Sequence, residues 1–150
     1  MTTALPYDAP AGRWPGTADF RLMPTDDFSG GDSILEVADA ARGRALRLDY
    51  TWPHPADGEQ AGSLLLGVPT ADGTVTAAWV DSWHQQDLAT LVGTGDDSSA
   101  TVGYEYAPGR RWEIEVRVGD SGVGVVMRSV VPGDDDSPAV TYDVMRAAWS

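Results

Sequence analysis

The sequence predicts an all-β fold: a single antiparallel up-and-down β-barrel of about ten strands. Three observations lead there. Apolar and polar residues alternate with period two in many short runs. Turn clusters rich in glycine, proline and aspartate separate the runs at hairpin spacing. No stretch sustains a helical period. The one helix-like segment, "EVADAARG", is stopped by Gly43 before two turns are complete, so it reads as strand, turn, strand.

The runs follow in order. The first lies near 13–23 and the second near 33–38, with "SGGD" between them and "ARG" after. The third, "RALRLDYTW" at 44–52, alternates most cleanly. Leu46, Leu48, Tyr50 and Trp52 point one way, and Arg47, Asp49 and Thr51 the other. Runs near 62–68, 74–84 and 88–93 come next, punctuated by "PADG", "TADG" and "GTGDD". "TVGYEYA" then sets Val102, Tyr104 and Tyr106 against Thr101, Gly103 and Glu105. After "APG", "WEIEVRV" sets Trp112, Ile114, Val116 and Val118 against Glu113, Glu115 and Arg117. Two more runs, near 122–131 and 139–148, follow "VGDSG" and "VPGDDD". Each is a half-buried strand with a solvated face. Consecutive hairpins favour a closed barrel over a sandwich, because closure removes exposed edges. Residues 1–10 read as an N-terminal extension and 11–150 as the barrel domain. There is no fixed-period repeat, low-complexity segment or second domain.

The chain has 150 residues and no cysteine. It is long enough to bury a core without staples, and disulfides, thiolate metal sites and cysteine nucleophiles are excluded. There are 23 acids against 10 bases, all of the bases arginine, for a net charge of −13. That balance repels phosphate backbones and anionic bilayers, so neither nucleic acid nor membrane is expected as a partner. Without lysine there is neither a side-chain Schiff base nor a P-loop. The N-terminus lacks the basic and apolar regions of a signal peptide, and no run reaches the length of a membrane helix. The expectation is a cytoplasmic protein, monomer or homodimer.

The chemistry concentrates in "AAWVDSWHQ". Alternation puts Trp79, Asp81 and Trp83 on one face and Ser82 and His84 on the other. The tryptophan face is too apolar for solvent and should look inward, carrying Asp81 with it, while His84 goes outward or to the rim. A carboxylate between indoles needs donors: Tyr50, Tyr104, Tyr106, Tyr142 or a tryptophan N–H. Asp81 is then a satisfied structural group, a ligand contact or an acid/base; all three stay open. A Ser82–His84–Asp81 triad is disfavoured, because strand neighbours face opposite sides and i,i+2 side chains stand too far apart to bond. His54, held between two prolines, reads as an exposed turn residue. The histidines match no metal-ligand spacing, so no metal is expected.

The first strand's Gly-x-Trp, Gly12 to Trp14, resembles the opening of lipocalin-like (calycin superfamily) barrels. Together "GRWPGT", "RLMPTD", "RALRLDYTW" and "AAWVDSWHQ" resemble an uncharacterised bacterial family of that fold. The resemblance implies that Trp14 plugs the closed end under Arg146 of the last strand, and that the barrel encloses a cavity. More distantly related nitrobindin-like barrels hold haem on a histidine in a near-terminal strand. The last two strands here have none, so a haem would have to use His84 from another wall. The expected function is therefore binding of a small hydrophobic or aromatic ligand, with no resident cofactor. Trp79, Asp81, Trp83, Tyr50, Trp52 and Tyr104 form the expected wall, with His84 at the rim. Two alternatives stand: an enzyme using Asp81 or a haem on His84, and an interaction protein whose barrel is filled.

Overall fold

A computed structural model of the chain describes residues 5–150. Ten antiparallel strands close into one up-and-down barrel: β1 (Gly12–Phe20), β2 (Ser29–Ala40), β3 (Ala45–His54), β4 (Gly58–Gly67), β5 (Thr74–Asp81), β6 (Gln85–Gly95), β7 (Ser99–Ala107), β8 (Arg110–Gly119), β9 (Gly122–Val131) and β10 (Val140–Trp149). Each strand pairs with its chain neighbours, and β1 closes the ring on β10, with Gly16 opposite Trp149 and Phe20 opposite Met145. Alternation does the sorting. Leu46, Leu48, Tyr50 and Trp52 are buried, as are Ile114, Val116 and Val118, while Arg47 and Arg117 lie outside. No helix among the described residues is long and apolar enough to cross a membrane.

The interior is packed. Trp52, Trp79 and Trp149 are almost wholly buried among leucine, valine and methionine side chains. Trp149 Nε1 donates to Ser33 Oγ at 2.7 Å, and Ser33 in turn donates to the carbonyl of Thr51. One end of the barrel is covered by the segment before β1. A short 3-10 turn at Pro6–Asp8 buries Tyr7, whose hydroxyl donates to the Gly67 carbonyl at 2.6 Å. Of the expected 1–10 extension, residues 5–10 are thus described, and they pack on the barrel; 1–4 lie outside the described residues. The opposite end is ringed by the connections 21–28, 55–57, 82–84, 108–109 and 132–139, and its aromatic groups carry the candidate site.

The expected Trp14–Arg146 contact is not made. Trp14 faces inward and is half-buried, with Nε1 donating to the Pro10 carbonyl at 3.0 Å. Arg146 lies on the outer face, bonded to Asp143 at 2.9 Å, with its guanidinium 4.4 Å from the Phe28 ring centre. Arg21 stacks on Phe28 at the same 4.4 Å separation. The cause is an irregularity in β10 between Asp143 and Met145. Tyr142 and Val144 face the cavity at the open end, whereas beyond the bulge Met145, Ala147 and Trp149 are the buried residues and Arg146 is turned out. Arg146 also pairs with Asp19 in β1, five residues along the strand from Trp14.

Candidate functional site

Asp81 ends β5, pairing with Gly62 on β4 and Gln85 on β6. It points inward as expected and is 1% exposed. Its Oδ2 accepts from Tyr50 Oη at 2.6 Å and Trp52 Nε1 at 3.2 Å. Its Oδ1 accepts from the backbone N–H groups of Trp83 and His84, both at 2.9 Å. Four donors fill the carboxylate's accepting positions and hold its charge without a cation. Tyr50 accepts from Trp79 Nε1 at 2.9 Å, extending the network. Burial, and then the neighbouring Asp81 charge, raise the Tyr50 phenol well above its usual range. The Tyr50–Asp81 bond requires a glycine between them, because a Cβ on Gly62 would lie 2.2 Å from Tyr50 Oη and 2.8 Å from Asp81 Oδ2. Of the three roles open for Asp81, this geometry is that of a structural node.

The two Oδ1 bonds also bend the chain. By accepting from the N–H groups two and three residues on, Asp81 closes an Asx-type turn over Ser82, Trp83 and His84, so "AAWVDSWHQ" is strand, turn and strand and not a single strand. Alternation stops at that turn, and the direction expected for His84 is corrected. Its ring swings in and stacks on Trp52, with centroids 4.7 Å apart and planes at 15°. It also lies 5.2 Å from Trp112 and 5.2 Å edge-on to Trp83. Burial pushes His84 down to about 4, with His54 adding to the push and Asp81 opposing it, so the imidazole is neutral near neutral pH.

His54 needs correction as well. It is no exposed loop residue: its ring packs 4.8 Å from Trp83 and 5.2 Å from Phe20. Its Nδ1 accepts from the N–H groups of Ala56 and Asp57, at 3.1 and 3.0 Å, which leaves the proton of the neutral ring on Nε2. Ser82 points away from this cluster, donating to Gln60 Oε1 at 2.8 Å and accepting from the Ala61 N–H at 3.0 Å. Asp81, Ser82 and His84 therefore form no triad.

Above the cluster, at the open end, lies a cavity of about 350 Å³. Trp83, His84 and Gln85 line it from the β5–β6 turn. Tyr104, Tyr106 and Trp112 come from β7 and β8, and Ser129, Tyr142 and Val144 from β9 and β10, with Leu22 at the lip. Of the expected wall, Trp83, His84 and Tyr104 line this cavity. Tyr50, Trp52, Trp79 and Asp81 stand behind it as packed core. The wall residues not foreseen as ligand contacts include Trp112, which stacks on Trp79 at 5.7 Å and 10°. The signal for Trp112 was its place on the inward face of "WEIEVRV".

The hydroxyls around the cavity are already engaged. Tyr104 donates to Gln85 Oε1 at 2.5 Å, Tyr106 and Ser129 share a hydrogen bond of 3.0 Å, and Tyr142 donates to the Leu22 carbonyl at 3.3 Å. Burial, and then Tyr106, raise the Tyr104 phenol. No arginine, aspartate or glutamate lines the cavity. Two buried atoms of its wall, His84 Nε2 and Trp112 Nε1, have no hydrogen-bond partner among the described residues.

The residues present do not fit a haem. β9 and β10 carry no histidine, His84 Nε2 is buried, and the cavity matches one or two fused rings, well short of a tetrapyrrole. Among the described residues no group of three or more metal-ligating side chains comes together. In comparisons with known proteins, no family model matches the chain and no curated protein matches its sequence significantly.

Proposed function

We propose that the protein binds a small, uncharged aromatic molecule in the cavity at the open end of the barrel. The observation that carries this is a space of about 350 Å³ walled by indole, imidazole and phenol rings, with no charged side chain among its lining. Such a wall favours a flat apolar body and leaves a carboxylate or phosphate without a counter-ion. The interior behind it is filled by Trp52, Trp79 and Trp149, so the seat is the mouth and not the barrel axis. Native mass spectrometry of the purified protein, followed by calorimetric titration with naphthalene, indole and benzoate, tests the proposal. Naphthalene and indole should bind and benzoate should not. Absence of binding by both neutral rings, or benzoate binding as tightly as they do, refutes it.

A second reading, self-association, rests on the outer face of β4–β6. There Leu65, Leu88 and Val92 are 42%, 73% and 51% exposed beside Ala78 and Thr90, with no charge among them in a chain of net −13. A dimer in sedimentation analysis that Leu88→Asp dissociates would support it; a monomer across the accessible concentration range would remove it.

A further inference from the structure

The wall of the cavity continues beyond the residues that enclose it. Along β10, Tyr142 and Val144 line the cavity, and Val140, two positions before Tyr142, stands on the same face one step nearer the open end. Along β9, Ser129 lines the cavity and Val131 is the next residue on its face. The two strands are in register there, with Ser129 opposite Tyr142 and Val131 opposite Val140. A rung bearing two hydroxyls is thus followed, about 7 Å further out, by a pair of valines.

The connection after β1 adds Leu22 beside them. Its place is set by β10: the Arg21 N–H donates to the Val144 carbonyl at 2.9 Å, and the Tyr142 hydroxyl donates to the Leu22 carbonyl at 3.3 Å. Leu22 is 57% exposed and Val140 38%, and Val131 is half-buried. On the β8 side the residue at this level is Arg110, two positions before Trp112 and on its face. The apolar strip therefore runs the other way, from β9 across β10 to Leu22.

Apolar residues exposed singly are ordinary, but a strip continuous with an apolar cavity has the form of a ligand-binding groove. Rings line most of the cavity, whereas the strip above it is aliphatic, so it suits a flexible hydrocarbon chain better than a second flat ring. The end of that chain meets the 132–139 connection, which carries Asp134, Asp135 and Asp136 against the single Arg110 across the mouth. Like charge there disfavours a terminal carboxylate or phosphate.

We infer that the ligand is an alkyl-substituted aromatic, its ring in the cavity and a neutral hydrocarbon chain running out over Val131, Val140 and Leu22. This rests on the binding reading and adds a class of ligand to it. A fully buried methylene is worth about fourfold in affinity, so on a wall open to water each should give about twofold. A butyl chain should then gain about tenfold or more over the bare ring.

Calorimetric titration with indole, 3-methylindole and 3-butylindole tests the inference. Affinity should rise along the series, reaching about tenfold or more above indole for the butyl compound. The double variant Val131→Thr, Val140→Thr keeps the branched shape of the rim and puts hydroxyls on it. It should bind indole as the natural protein does and lose most of the butyl gain. As a measurement independent of the variant's folding, nuclear Overhauser contacts in the unaltered protein should join the butyl protons to the Val131 and Val140 methyl groups. A butyl gain below about threefold, a gain that the double variant keeps in full, or absence of the valine contacts each overturns the inference and leaves the binding reading standing. No binding by any of these compounds or by naphthalene overturns both.

Discussion

The burial of His84 makes a quantitative demand on stability. Its ring lies against Trp52 and Trp112, and desolvation lowers its pKa from 6.5 to about 4, with His54 pushing the same way and Asp81 opposing. In the unfolded chain the group takes up a proton near its ordinary value, while the folded protein resists until far lower pH. Between the two values the unfolded state binds more protons, so stability rises with pH across that window and falls on acidification. The full difference is worth about 3 kcal/mol, at 1.36 kcal/mol per pH unit. Between about pH 7 and about pH 4.5 the loss from this one group should be about 2 kcal/mol. Asp72, Asp96 and Glu115, whose carboxyls are held below their usual range by hydrogen bonds, contribute stability that is lost only at lower pH, as they protonate. The assay is urea unfolding at half-unit pH steps, for the natural protein and for His84→Phe, whose ring can keep the stack on Trp52 but cannot titrate. The natural protein should lose stability over the window, and the variant should stay nearly level until the carboxylates protonate. Parallel curves for the two proteins, or a level curve for the natural one, would refute the argument from burial.

Two further predictions concern the node behind the cavity. Gly62→Ala would put a Cβ onto the Tyr50 ring and break its bond to Asp81, costing about 3 kcal/mol, whereas Gly119→Ala meets nothing within 4 Å and should be nearly neutral; thermal unfolding of the pair checks the contrast. Asp81→Asn turns an NH₂ toward groups that themselves donate, leaving two of the four without an acceptor. It should cost about 3 kcal/mol in urea unfolding and open the 82–84 turn to faster amide exchange at Trp83 and His84.

Much of the fold lies on the surface of the sequence. Strand alternation is a local property, set by the pleat and by the need to hide one face, so all ten strands and their hairpin order can be read from residue types alone. The inward course of Trp79 and Asp81 follows from the same rule, as do the buried faces of β3 and β8. Alternation fails wherever one residue breaks the period. The β10 irregularity sends Arg146 outward though it shares a parity with Tyr142, and the Asx turn carries His84 inward though it shares one with Ser82. Asp81 itself was a legible turn former, but its side chain could be assigned to the bend only by knowing which donors surround it.

The sequence by itself determined that this chain would close into a barrel of antiparallel strands with an aromatic, charge-poor inner surface. Period-two patterning and hairpin spacing leave few other ways to bury so many rings. Only the tertiary structure decided which rings became core and which became a wall. That division depends on strand register around a closed ring and on Tyr50 reaching across Gly62 to Asp81. It also depends on the close approach of His84 and Trp112, 28 positions apart in the chain, whose rings lie 5.2 Å apart and line the same cavity. Non-local contacts of this kind are fixed by the packing of the whole barrel, and no window of sequence contains them.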